Sequence, residues 1–221
     1  MMCDARLFSP QIEALSSDRS IAFMPLRDAN TITGLAEMVL AAAPPTFALA
    51  GLSMGGIVAM EIMRLAPKRA ARLALLDTNA LAEPPEKAAV RKAQVTKVRH
   101  GELAAVMRDE MKPNYLAEGP NRSKILDLCM AMAESLGPAV FEDQSNALQN
   151  RPDQRNTLST VRVPTLILCG EDDRLCPLER HQLMHDLIPD SHLDVIPGAG
   201  HLPTLEQPER TNAALKSWLL R

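Results

Sequence analysis

Three observations predict an α/β fold with a mostly parallel sheet covered by helices on both faces. Short apolar runs alternate with segments of helical spacing at both ends of the chain. A strand-like run leads through Gly51-Leu52-Ser53-Met54-Gly55 straight into a helical pattern. Between residues 79 and 160 the strand-like runs stop and only helical segments remain. Near-continuous apolar strands alternating with helices are typical of parallel sheets buried on both faces. The 221 residues, 46% of them hydrophobic, suffice for one sizeable core.

Ser9-Pro10 reads as a helix cap followed by proline at the first helical position, with Ile12 and Leu15 on one apolar face. Ile21-Ala22-Phe23-Met24-Pro25-Leu26 suits a short buried strand. Leu35, Met38, Val39 and Ala42 recur at helical spacing over residues 32–43, and Pro44-Pro45 ends that helix. Residues 46–50 form the strand before the Gly-x-Ser-x-Gly pentapeptide, and residues 56–65 the helix behind it. Arg72-Leu73-Ala74-Leu75-Leu76 is the next strand, ending at Asp77. Helical segments follow around 86–100, 102–111, 122–136 and 139–148, broken by Pro113, Gly119-Pro120 and Gly137-Pro138. Alternation then returns with a strand over 164–169, a helix over 178–187, a strand over 192–196 and a closing helix over 205–220, with Trp218 on its inner face. Residues 1–78 and 161–221 are thus assigned to an α/β core, and residues 79–160 to a helical cap.

Composition narrows the partners. The net charge is −3 with both signs interspersed, and without a basic patch nucleic acid is not an expected partner. No apolar stretch approaches the roughly 18–20 residues that span a bilayer, and no leader pattern opens the chain, so no membrane partner is expected. Cys3, Cys129, Cys169 and Cys176 lack Cys-x-x-Cys spacing, which suits free thiols in a reducing cytoplasm. Aromatics make up only 3% while methionine numbers 12, so aliphatic and thioether side chains carry most of the packing.

The pentapeptide places Ser53 on a tight strand-to-helix turn, where glycines spare the crowded positions and the hydroxyl is exposed. Such a hydroxyl needs a base, and histidine titrates near working pH. His201 sits in Gly198-Ala199-Gly200-His201-Leu202-Pro203, on the loop after the last strand, where α/β sheets carry function. His100 and His192 lie within or beside regular elements. His181 and His185 are four apart, but Gln-Leu-Met between them lacks the metal-binding pattern, and an amphipathic helix surface is the expectation. A carboxylate should orient the imidazole. In Gly170-Glu171-Asp172-Asp173, at the end of a strand, Asp173 is the candidate, and Glu171 and Asp172 read as a solvated turn. Asp77 competes because it too ends a strand.

The order Ser53, Asp173, His201, the segment 164–174, Gly198-Ala199-Gly200-His201 and Leu205-Glu206-Gln207-Pro208-Glu209 together resemble the α/β-hydrolase fold superfamily, in particular small esterase-like serine hydrolases with a helical cap. The resemblance spans nearly the whole chain and is least diagnostic over the cap. It implies a Ser53–His201–Asp173 triad and an oxyanion donor at the Met54 N–H. It implies cleavage of a small or medium carboxylic ester through an acyl-enzyme, with no metal or organic cofactor. Thioester, amide and C–C hydrolysis use the same machinery and stay open, as does a non-catalytic binding role on a degenerate scaffold. Met107, Met111, Tyr115, Met130 and Met132 are cap candidates for a substrate pocket.

The chain departs from that family at its start. The family begins with further strands and a His-Gly or Pro-Gly turn, whereas Met1 aligns just after that turn. The resemblance therefore implies that three strands are missing, and that strand edges are left unpaired or pair with each other. A longer natural chain, a minimal sheet, and a second copy filling the gap as a homodimer are the three readings. The second oxyanion donor would align near Met1, whose ammonium is a candidate substitute. Losing one such donor costs about 10²–10³ in rate.

Overall fold

The computed structural model describes residues 1–221. In chain order its helices and strands are α1 (Ser9–Leu15), α2 (Ile32–Ala42), β1 (Phe47–Leu52), α3 (Met54–Leu65), β2 (Ala70–Leu76), α4 (Pro85–Arg99), α5 (Leu103–Ala105), α6 (Arg122–Gln149), α7 (Arg155–Leu158), β3 (Thr165–Gly170), α8 (Leu178–Leu187), β4 (Ser191–Ile196), α9 (Pro203–Glu206) and α10 (Pro208–Leu220). The four strands form one sheet in the order β1-β2-β3-β4, and every pair is parallel.

Alternation along the strands divides the core. Leu73, Leu75 and Ile167 pack with residues of α2, α3 and α8 on one face. Ala74, Leu76, Leu166 and Leu168 face the other side, where Leu215 and Trp218 of α10 cover them together with Tyr115, Ile125 and Met132. Helices on both faces explain why β2 and β3 read as continuous apolar runs. A third cluster, with Val95, Val98, Val106, Met107 and Phe141, binds α4 to α6. Residues 79–160 contain no strand.

Local chemistry sets the helix ends. Thr31 caps α2 by accepting the Gly34 N–H at 3.0 Å. Gly137, at φ 79°, and Pro138 kink α6 where the sequence separates two helical segments. A π-helical turn over Val106–Met111 continues α5 within the helical segment expected over 102–111, and only its π geometry is unmarked in the sequence.

Three expectations are corrected. Residues 21–26 form no strand: they and β1 line one cavity instead of pairing, and Pro25 has no N–H to give. β1 is consequently an edge strand. Ser9 is not a cap, because the capping position falls on Phe8 and no side-chain cap bond forms. The closing helix is split at Gln207, at φ −136° and ψ 62°, since the residue before Pro208 is driven out of helical geometry.

Candidate active site

The turn after β1 is so tight that α3 begins at the residue following Ser53. Ser53 adopts φ 55°, a strained value for a residue with a side chain. A Cβ on Gly51 would stand 2.3 Å from the Gly55 carbonyl oxygen, and one on Gly56 would meet the Thr78 side chain at 2.6 Å, so no side chain fits at either position. Gly55 has open space, so the expectation of crowding does not extend to it. The Ser53 N–H donates to the Leu76 carbonyl at 2.9 Å, and the Thr78 hydroxyl donates to the Ser53 carbonyl at 2.7 Å, tying the turn to the end of β2.

Three side chains from three strand ends meet here. His201 Nε2 lies 2.9 Å from Ser53 Oγ, and Nδ1 lies 2.9 Å from Asp173 Oδ2. His201 and Asp173 are buried. Asp173 Oδ1 accepts the Leu175 and Cys176 N–H groups at 2.8 and 3.0 Å. Burial pushes the Asp173 carboxyl up, but the His201 charge, the His201 hydrogen bond and these two N–H groups outweigh it and hold the carboxyl below the usual range. Asp77 makes no hydrogen bond to His201; its Oδ1 accepts the Gly170 N–H at 2.8 Å.

The His201 loop is held by contacts that the sequence reading did not assign. The His201 N–H donates to the Tyr115 carbonyl at 2.7 Å, and the two rings sit 5.8 Å apart. Glu206 accepts the N–H groups of Ala117, Gly200 and Leu202 at 2.8, 2.9 and 2.9 Å, joining the cap to the loop. Its sequence signals were its place in a Pro203-x-x-Glu206 helix start and in the family-like segment 205–209.

A cavity of about 610 Å³, with mostly apolar walls, runs from Ser53, Met54, His201 and Tyr115 along β1 to Trp218. Met1 lines it too, and its amino group is buried, which lowers its pKa. Met107, Met111, Met130 and Met132 do not line it, contrary to expectation. Met107 and Met132 are fully buried, and Met111 and Met130 pack against the clusters between the cap helices, so methionine at helical spacing serves ordinary packing here.

Two donor groups converge closely enough to be considered for a metal, Asp77-Cys169-His181 and Asp173-Cys176-His201. Both commit imidazole nitrogens to protein hydrogen bonds, and His181 Nε2 accepts the Thr78 N–H at 3.2 Å. His181 is thus a core residue rather than part of a helix surface. Its burial lowers its pKa to about 4.

This combination of parallel sheet, strained serine turn and converging strand ends has a match among known families. The profile of the alpha/beta hydrolase family matches residues 13–214, and the chain belongs to that family. It is 29% identical over 192 residues to a pimeloyl-[acyl-carrier protein] methyl ester esterase of Aromatoleum aromaticum, covering 81% of this chain and 76% of the relative. It is 24% identical to a putative carbamate hydrolase, RutD, of Yersinia enterocolitica, covering 97% of this chain and 83% of the relative. Among solved structures, a thermophilic esterase from Thermogutta terrifontis superposes with a TM-score of 0.89 at 30% identity, covering 98% of this chain and 85% of that one.

Proposed function

We propose that this alpha/beta hydrolase is a serine esterase that cleaves a small or medium carboxylic ester through an acyl-enzyme. The observation that carries the proposal is the pair of 2.9 Å contacts running from Ser53 Oγ through His201 to Asp173. In this reading His201 removes the hydroxyl proton as Ser53 Oγ bonds to the ester carbonyl carbon. The proton then passes to the departing alkoxide as the ester C–O bond breaks. Water, deprotonated by the same imidazole, attacks the acyl-enzyme and releases the acid and Ser53. Asp173 holds the imidazole in the tautomer that leaves Nε2 free to accept.

Negative charge on the carbonyl oxygen is met by the Met54 N–H, which heads α3 and has no intrahelical acceptor. For the second donor the reading takes Met1, which lines the same cavity. Apolar walls favour an apolar acyl or alcohol group. The ester-cleaving relatives support this substrate class, and the carbamate-hydrolase relative keeps amide-like substrates as the competing class.

A fluorophosphonate probe tests the assignment. Wild-type protein is expected to label, and Ser53→Ala to lose labelling and lower ester turnover by about 10³-fold or more. Folded wild-type protein that neither labels nor hydrolyses p-nitrophenyl esters would instead be a binding protein on a hydrolase scaffold.

A further inference from the structure

Asp77 stands outside the contacts that link Ser53, His201 and Asp173, yet it is completely buried. It follows β2 at φ 43°, a left-handed conformation that is uncommon for a residue with a side chain. Its Oδ1 accepts the Gly170 N–H, while its Oδ2 is buried and meets no N–H or O–H donor. Gly170 ties it to Asp173: the Gly170 N–H donates to Asp77 Oδ1 at 2.8 Å, and the Gly170 carbonyl accepts the Asp173 N–H at 3.1 Å.

The titratable groups around Asp77 supply no cation of their own. Cys169 of β3, Asp173 and Cys176 of the loop after it, His181 of α8 and Glu206 of α9 are the neighbours. Burial pushes both thiols up, which keeps them protonated. His181 is neutral above a pKa of about 4. Beyond them, His201 has its Nδ1 bonded to Asp173, and the Arg151 and Lys87 charges act on Cys176 rather than directly on Asp77.

Two carboxyl groups this close and this dry cannot both ionise, so they retain one proton between them. The donor count decides which oxygen keeps it. Asp173 accepts from Leu175 N, Cys176 N and His201 Nδ1, whereas Asp77 accepts from Gly170 N alone.

We propose that Asp77 is a neutral carboxylic acid whose Oδ2–H donates to the Asp173 carboxylate, making it a positioning residue that anchors the triad acid from behind. This inference rests on the serine-esterase reading above. Burial first, and then the Asp173 charge, raise Asp77 well above the usual carboxylate range, in keeping with a retained proton. The bond fixes Asp173 and draws some of its charge away from His201.

The experiment compares wild type, Asp77→Ala, Asp77→Asn and Asp173→Asn in p-nitrophenyl ester hydrolysis across the pH range, with fluorophosphonate labelling of each. Asp77→Ala is expected to lower kcat about tenfold and to move the acid limb of kcat/KM upward, because an unanchored carboxylate stabilises imidazolium better. Asp77→Asn keeps a neutral donor toward Asp173 and an acceptor for Gly170 N, and is expected to rescue most of that loss. Asp173→Asn is expected to lose about 10⁴-fold. The proposal is overturned if Asp77→Asn moves the acid limb downward by about half a pH unit or more, since that signals removal of a real negative charge. It is equally overturned if Asp77→Asn loses as much as Asp173→Asn.

An infrared difference spectrum, wild type minus Asp77→Asn at neutral pH, reads the proton directly. It is expected to contain a protonated-carboxyl stretch, and its absence overturns the proposal even where Asp77→Ala fails to fold. Wild type that shows this stretch but neither labels nor hydrolyses would sink the esterase reading and leave the charge state of Asp77 standing.

Discussion

Three backbone N–H groups converge on the Glu206 carboxylate, from Ala117, Gly200 and Leu202, and no lysine or arginine pairs with it. Burial raises its pKa, and these N–H groups then pull it back down only in part. Its work is geometric: it fixes both neighbours of His201 and ties them to the cap. Glu206→Ala leaves those N–H groups without an acceptor and is expected to cost about 3 kcal/mol in urea denaturation, with a fall in kcat as His201 loses its setting. The sequence displayed Glu206 within a family-like segment, but its role depends on Ala117, which is 89 positions away. Ser53 differs, because its strained turn is a local event. Gly51 and Gly56 flag it directly, since those positions leave no room for a side chain.

At the scale of elements, the anchor is Glu61 on α3. It accepts from Thr33 of α2 at 2.5 Å, from Arg64 at 2.7 and 2.9 Å, and from Gln154, just before α7, at 2.7 Å. Its hydrogen bond with Arg64 leads the causes that bring its carboxyl down to about 2, against the opposing effect of burial. A depressed acid stabilises the fold above its unfolded pKa, and that stability is lost as pH falls through the folded value. Glu61→Gln is therefore expected to lower stability by about 2 kcal/mol near neutral pH. The difference should shrink between the unmodified value of 4.5 and about 2. Urea midpoints across that window check it, and a pH-independent difference would refute it. The segment before α2 shows where periodicity fails. An apolar run over residues 21–26 satisfies the pattern of a strand, but a strand exists only where it pairs with a neighbour's backbone, and this run does not pair with the free edge of β1.

Across the whole molecule, the two roots of the helical region are stitched together. Glu83, before α4, pairs with Arg91 at 2.9 Å and with Arg151, which follows α6. Arg151 also donates to the Leu81 carbonyl at 2.9 Å, and the Gln154 N–H donates to Ala80 at 2.8 Å. The Glu83 and Arg151 side chains are only 1% and 8% exposed, so removing one partner strands a charge in the interior. Glu83→Ala is expected to lower stability by about 3–5 kcal/mol in thermal or urea denaturation. An effect within about 0.5 kcal/mol, as for a surface pair, would show that the stitch contributes nothing.

By itself, the sequence determined what depends on neighbours along the chain. The alternation of apolar runs with helical spacing specified a parallel sheet covered on both faces, and the glycines specified the serine turn. The breaks at Pro113 and Gly137-Pro138 divided the helices of residues 79–160. Only the tertiary structure decided what depends on approach through space. Ser53 and His201 lie 148 positions apart and meet because two parallel strands end on the same side of one sheet. The same convergence left Tyr115 on the cavity wall and sent the cap methionines into helix packing, since helical spacing specifies a face without specifying what that face meets. It also buried His181 and brought Asp77 beside Asp173, where two carboxyls with no free cation between them must share a proton.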